Sequence, residues 1–225
     1  MPCLSRPTRW LAPVLLLALA GCFKLARTSP QLAQYVLGGS AVPTADTPTA
    51  PPGQLTVGLR RLQLASYLAT PSIVVRRGPH QITTSEFHRW GEELGAGINR
   101  TLASQLARHP SILAVAVAPW PTRSRYDYVL QMHMQRFEGV TDSSTASGEV
   151  HVLASWDVVR PADDSVLMRG RAEIRDGRWE AGDYASLVRA LDAALAEVAR
   201  QVGASLDALR MVDSTSGARP VTPPR

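Results

Sequence analysis

The sequence predicts an α/β domain: a mixed sheet of about five strands carrying two long amphipathic helices. Three observations support this. Several short runs alternate apolar and polar residues, the mark of half-buried strands. Two longer runs repeat an apolar residue every three or four positions, which gives each helix a single apolar stripe. Both kinds of run are interleaved without an internal repeat, so both helices cover one sheet in one domain.

The chain begins with Arg6 and Arg9, then an apolar run from Leu11 to Ala20, about half the length of a membrane span. Leu19-Ala20-Gly21-Cys22 closes that run. The order resembles a bacterial lipoprotein signal peptide, residues 1–21, in which the Cys22 thiol is lipidated and becomes the first mature residue. A thiolate is a strong nucleophile toward a lipid donor. An ordinary secretory signal that happens to contain a cysteine is the bland alternative. Either reading puts the protein in a cell envelope.

Residues 22–32 form a tether, and the folded domain is expected over 33–209. Gln34 to Leu37, stopped by Gly38-Gly39, reads as a strand; without it, the whole of 23–53 would be linker. Pro43, Pro48, Pro51 and Pro52 make 40–53 a loop. Gln54 to Leu62 sets Leu55, Val57 and Leu59 against Thr56, Gly58 and Arg60. Ser72–Arg77, Gly78-Pro79 and Gln81–Thr84 read as a hairpin. Ser85 is the expected cap of the first helix, whose stripe is Phe87, Trp90, Leu94, Ile98, Leu102 and Leu106. Gly91, Gly95 and Gly97 weaken that helix, and Pro110 ends it. Phe87 and Trp90 are expected in the core.

An aliphatic strand, Ile112 to Ala118, follows. Next comes the clearest alternation: Tyr126, Tyr128, Leu130, Met132 and Met134 face one way, with Asp127, Gln131, His133 and Gln135 opposite. Val150 to Val158 alternates again, and the turn at 161–164 leads into a strand over 165–175, an antiparallel meander. Asp183 caps the second helix, with the stripe Leu187, Leu191, Leu195, Val198, Val202, Leu206 and Leu209. Residues 210–225 are expected to be a disordered tail.

Formal charge is +5, and removing residues 1–21 lowers it to +3, because Arg6 and Arg9 leave with no acidic residue. That is weak for nucleic acid, and the envelope address removes such a partner. The arginine pairs 60–61 and 76–77, with Arg123 and Arg125, read as a solvated face; anionic lipid head groups or an acidic protein are the alternatives. With Cys22 lipidated, no thiol remains for a disulfide, so the core must hold the domain together.

Catalytic patterns are absent from the sequence. There is no G-x-S-x-G elbow and no H-E-x-x-H, and Lys24 is the only lysine, which excludes a P-loop. His133 and His151, with Asp127 or Glu138, would be the sole metal combination to weigh against exposed sheet histidines. No enzyme, cofactor or metal is expected.

The remaining pattern has an order of its own. Tyr35-Val36-Leu37 is followed by Val57, Tyr67-Leu68, Pro71, Ile73-Val74 and Arg76. Then come Glu86-Phe87-His88-Arg89-Trp90, Tyr126 to Leu130, Arg136-Phe137, Ala154-Ser155-Trp156 and a last helix opening Tyr184-Ala185-Ser186-Leu187. On a lipoprotein, this order resembles the ABC-type transport auxiliary lipoprotein family, across about residues 33–209. The glycines after Trp90 and the 40–53 insertion depart from the pattern.

The resemblance implies a three-layer α/β domain and a non-enzymatic role in an MCE-type lipid transporter. There, a periplasmic MCE-domain protein and an inner-membrane ABC permease and ATPase are partners. The lipoprotein then sits at the outer membrane, with which Phe23 after the cysteine is compatible. Tyr67, Leu68, Arg76 and Arg89 become the partner-binding set. Each has a bland alternative: a packed loop for Tyr67-Leu68-x-x-Pro71, and ion pairs to carboxylates such as Glu86 or Glu92 for the arginines. A homo-oligomer stays open. A structural envelope lipoprotein that scaffolds outer-membrane or peptidoglycan machinery is the alternative function.

Overall fold

One long strand organises the domain. β7 (Tyr128–Thr141) is hydrogen-bonded along one edge to β8 (Ser147–Val159), antiparallel. Its other edge takes three short strands end to end, all parallel to it: β2 (Leu55–Leu59), β3 (Gln63–Leu64) and β4 (Ser72–Arg77). Outside these lie β6 (Ile112–Val117), parallel to β2, and β5 (Gln81–Trp90), antiparallel to β4; β1 (Ala33–Tyr35) runs parallel to β5. Beyond β8 come β9 (Val166–Ile174) and β10 (Arg178–Glu180), both antiparallel to it. The structure, a computed structural model, describes residues 31–39, 54–121, 124–141 and 147–216. The expected signal segment with Cys22, the expected loop over 40–53, Arg123 and the end of the expected tail lie outside the described residues.

The α/β class, the mixed sheet and the two helices are as expected, but the sheet has ten strands, not about five. α1 (Leu94–Leu106) packs on β6 and on α2 (Tyr184–Ser216), which also covers β7 to β10. The two helices therefore lie side by side. The face they cover is fixed by Gly139, where a Cβ would sit 2.8 Å from the Trp179 ring and 3.1 Å from Leu187. Leu130, Met132, Met134 and Phe137 line that face with Val150, Val152, Ala154, Trp156 and Val158, and all are buried. Gly170, opposite Trp156, has no side chain because the indole fills the space: a Cβ there would lie 2.2 Å from the ring.

The alternation through Met134 holds, then breaks at a bulge between Met134 and Arg136. One extra residue inverts the parity of everything after it. That is why Phe137, and not Arg136, joins the core.

The first helix begins later than its apparent stripe. Residues 85–90 continue the hairpin arm as β5, so Ser85 caps nothing; its Oγ accepts from the His88 backbone N–H (3.1 Å). In a strand, Phe87 and Trp90 point to opposite faces. Trp90 is 6% exposed and packs beside Phe137, whereas Phe87 is 39% exposed and outside the core. Leu94, Ile98, Leu102 and Leu106 are the true stripe. The cap is Glu93, whose carboxylate accepts from the backbone N–H of Gly95 and Ala96 (both 3.1 Å). Asp183 does cap α2, accepting from the Ser186 N–H (3.0 Å), which holds its carboxyl below the usual range. Every residue of the second stripe is buried, and α2 runs past Leu209 to Ser216.

Candidate partner-docking surface

The sheet face turned away from the helices is polar, and its centre is a buried ionic cluster. Glu138 follows the bulge and so points opposite to Gly139, away from α2, yet it is fully buried. Arg76, one strand over on β4, reaches it with two parallel bonds: Nε donates to Oε1 at 2.6 Å and Nη2 to Oε2 at 3.2 Å. Arg136 Nη1 donates to the same Oε1 at 3.3 Å. A buried carboxylate needs such partners, because an unpaired charge there is strongly destabilising. Arg76 thus pairs with Glu138 and not with Glu86 or Glu92; Glu92 pairs with Arg100.

Tyr67 lies across this cluster. The Arg76 guanidinium carbon is 5.8 Å from its ring centroid, and its hydroxyl donates to the Gln135 carbonyl (3.1 Å), exposed by the bulge. Burial, with the Glu138 charge adding to it and Arg76 opposing, pushes the phenol up to about 12. It stays protonated at neutral pH and keeps donating. A 3₁₀ turn, Ser66–Leu68, sets this geometry: successive side chains lie about a third of a turn apart, so Leu68 is buried while Tyr67 is half-buried beside Arg76.

Of the four residues expected to bind a partner, the fold brings two together. Tyr67 and Arg76 meet on the polar face. Leu68 is wholly buried and helps to line a cavity of about 430 Å³ with Pro71, Trp90 and Leu94; it is a core residue, not a contact surface. Arg89 is on β5, exposed, beside Gln34 of β1. A second cavity, about 440 Å³, lies on the other side of Glu93, lined by Leu62, Ala96, Asn99, Ala103, Val117 and Pro119.

The two histidines do not converge. His133 is in register with Ser155 and His151 with Glu138, several rungs apart on the same face. His151 is buried and pairs with Glu173 (Nε2 to Oε1, 3.1 Å); burial and the charges of Arg175 and Arg136 hold its pKa below the ordinary value against the pull of Glu173. Among the described residues no cluster of acidic, histidine or cysteine side chains is placed to hold a metal.

Sequence reasoning weighed Glu138 only for a metal site and missed it as the partner of Arg76, because the alternation it relied on inverts at Gln135. It also missed His88, which stacks on Tyr184 at the start of α2 (4.2 Å between centroids) and shares a hydrogen bond with the Tyr35 hydroxyl (3.0 Å). Those contacts tie β1 and β5 to the second helix. Their signal was the Tyr-x-Leu and E-F-x-R-W segments themselves, read there only as order along the chain.

The fold is similar to the crystal structure of protein XCC0632 from Xanthomonas campestris, at 16% identity and a TM-score of 0.63, over 83% of this chain and 96% of that one. A second crystal structure, of an uncharacterized protein, is similar at 15% identity and a TM-score of 0.56, over 78% of this chain and 99% of that one. At these identities the likeness is one of fold. No match was found among curated protein sequences. Among the described residues no helix is long and apolar enough to cross a membrane. Residues 35–203 match the family described as ABC-type transport auxiliary lipoprotein component, and the chain belongs to that family.

Proposed function

We propose that this chain is the outer-membrane-anchored docking component of an MCE-type ABC lipid transporter, with no catalytic step of its own. The observation that carries this is the family match over residues 35–203 behind a Leu19–Cys22 lipobox. Cys22 takes the lipid chains, and each buried methylene contributes about 0.8 kcal/mol, so two or more chains hold stably. The folded domain then holds a periplasmic MCE-domain protein in line with the permease and ATPase. No bond-making is assigned, in keeping with the absence of a nucleophile–base pair in the sequence.

On the domain, Tyr67 and the outer side of Arg76 are the residues best placed to meet that partner. The pair is rigid, since the bulge carbonyl and Glu138 hold both side chains, so little entropy is lost on docking.

Affinity purification of the full chain from envelope membranes, with mass spectrometry of what accompanies it, tests the proposal. Recovery of an MCE-domain protein or an ABC permease supports it. Recovery of only cell-wall or outer-membrane assembly proteins would overturn it.

A further inference from the structure

Three large apolar side chains stand exposed where the chain enters the domain. Leu32 is 52%, Val36 55% and Phe87 39% exposed. The parallel register of β1 on β5 makes them one row. Ala33 is paired with His88 and Gln34 with Arg89, so Leu32 falls beside Phe87. Val36 leans over Gly91, where a Cβ would come within 3.2 Å of its Cγ1. Tyr35, His88 and Trp90 turn the other way, toward α2 and the core. The outward row therefore reads Leu32 and Phe87, then Gln34 and Arg89, then Val36. No carboxylate pairs with Arg89 among the described residues.

We propose that this row rests on the lipid surface to which Cys22 ties the chain. The inference builds on the anchor proposed above. Leu32 follows Cys22 by ten positions. Ten residues of chain span at most about 34 Å. The row cannot leave the neighbourhood of the membrane, so a contact too weak to bind alone becomes an intramolecular one. Its chemistry fits a lipid surface: apolar side chains enter the boundary between head groups and acyl chains, and a guanidinium meets a phosphate. A protein partner would need roughly 800 Å² of surface on each side, more than three side chains and an arginine offer.

The test uses the full lipidated chain in phospholipid vesicles, with and without phosphatidylglycerol. An environment-sensitive fluorophore is placed at Phe87→Cys, at Val36→Cys and, as a control, at Arg169→Cys on exposed β9. Vesicles carry lipids with nitroxide quenchers on their acyl chains, and flotation is measured on the same samples. Quenching at positions 87 and 36 but not at 169 is expected. Arg89→Ser should lower the seated-to-free ratio about fivefold on anionic vesicles and leave it unchanged on neutral ones. Probes that stay in water while the protein floats with the vesicles overturn the inference and leave the anchor standing. So does protection that appears only when another protein is added. Failure to float overturns the anchor, and this inference with it.

Discussion

Arg76→Met removes one side of the ion cluster under Tyr67 and leaves Glu138 with a single long bond from Arg136. Glu138 is fully buried, while Arg76 is 14% and Arg136 35% exposed. Breaking a buried pair from one side costs about 3–5 kcal/mol, because the remaining charge is left without compensation. Arg136 stays within 3.3 Å, which places the expected loss near the lower end, about 3 kcal/mol. For a domain of this size that lowers the melting temperature by about 6–12 °C. Urea unfolding followed by circular dichroism, with calorimetry alongside, measures both. The double variant Arg76→Met with Glu138→Leu supplies the control. Replacing the whole pair with apolar volume should recover stability to within about 1 kcal/mol of the parent, since a buried pair adds little over packed hydrophobes. A single variant that costs less than about 1 kcal/mol, or a double variant no better than the single, would refute this account of the cluster.

Leu68→Ala should destabilise by about 2–5 kcal/mol in urea, because the residue is wholly inside; a variant that folds normally and loses only partner binding would contradict the placement. Glu93→Ala removes the cap of α1 and should cost about 1 kcal/mol, whereas Ser85→Ala, in mid-strand, should cost measurably less. His151 has a folded pKa below its unfolded one, so the unfolded chain binds more protons in the window just under pH 6.5, and stability should rise with pH there and level off above it. In His151→Gln that slope should flatten in pH-dependent urea midpoints; an unchanged slope would assign it to other groups.

Much of the fold was legible because its drivers are local. The α2 stripe needs only a 3.6-residue period and a capping Asp183, and all of it is buried as read. The strands around Met132 and Trp156 need only alternation. The errors arose where a local signal had two solutions. Phe87, Trp90 and Leu94 are spaced as on a helix, but they straddle a strand end, and three glycines and Glu93 decide where the helix starts. β3 and β10, at two and three residues, are too short for any period and exist only because β7 and β8 offer an edge. On the polar face, Tyr67 and Arg76 were legible as motif residues, but the pairing of Arg76 with Glu138 was hidden behind a bulge that no pattern announces. Leu68 is buried, as the packed-loop alternative for Tyr67-Leu68-x-x-Pro71 has it; residue pattern alone does not separate a packed from an exposed loop, because successive side chains of a 3₁₀ turn lie about a third of a turn apart.

In the proposed function, an anchor at one end and a docking domain at the other act together. Complementation of a deletion strain by Cys22→Ala under envelope stress tests it most directly. The expected result is a folded, soluble protein that still recovers an MCE-domain protein from lysate but does not restore envelope integrity. A Cys22→Ala chain that restores integrity as fully as the parent would contradict it.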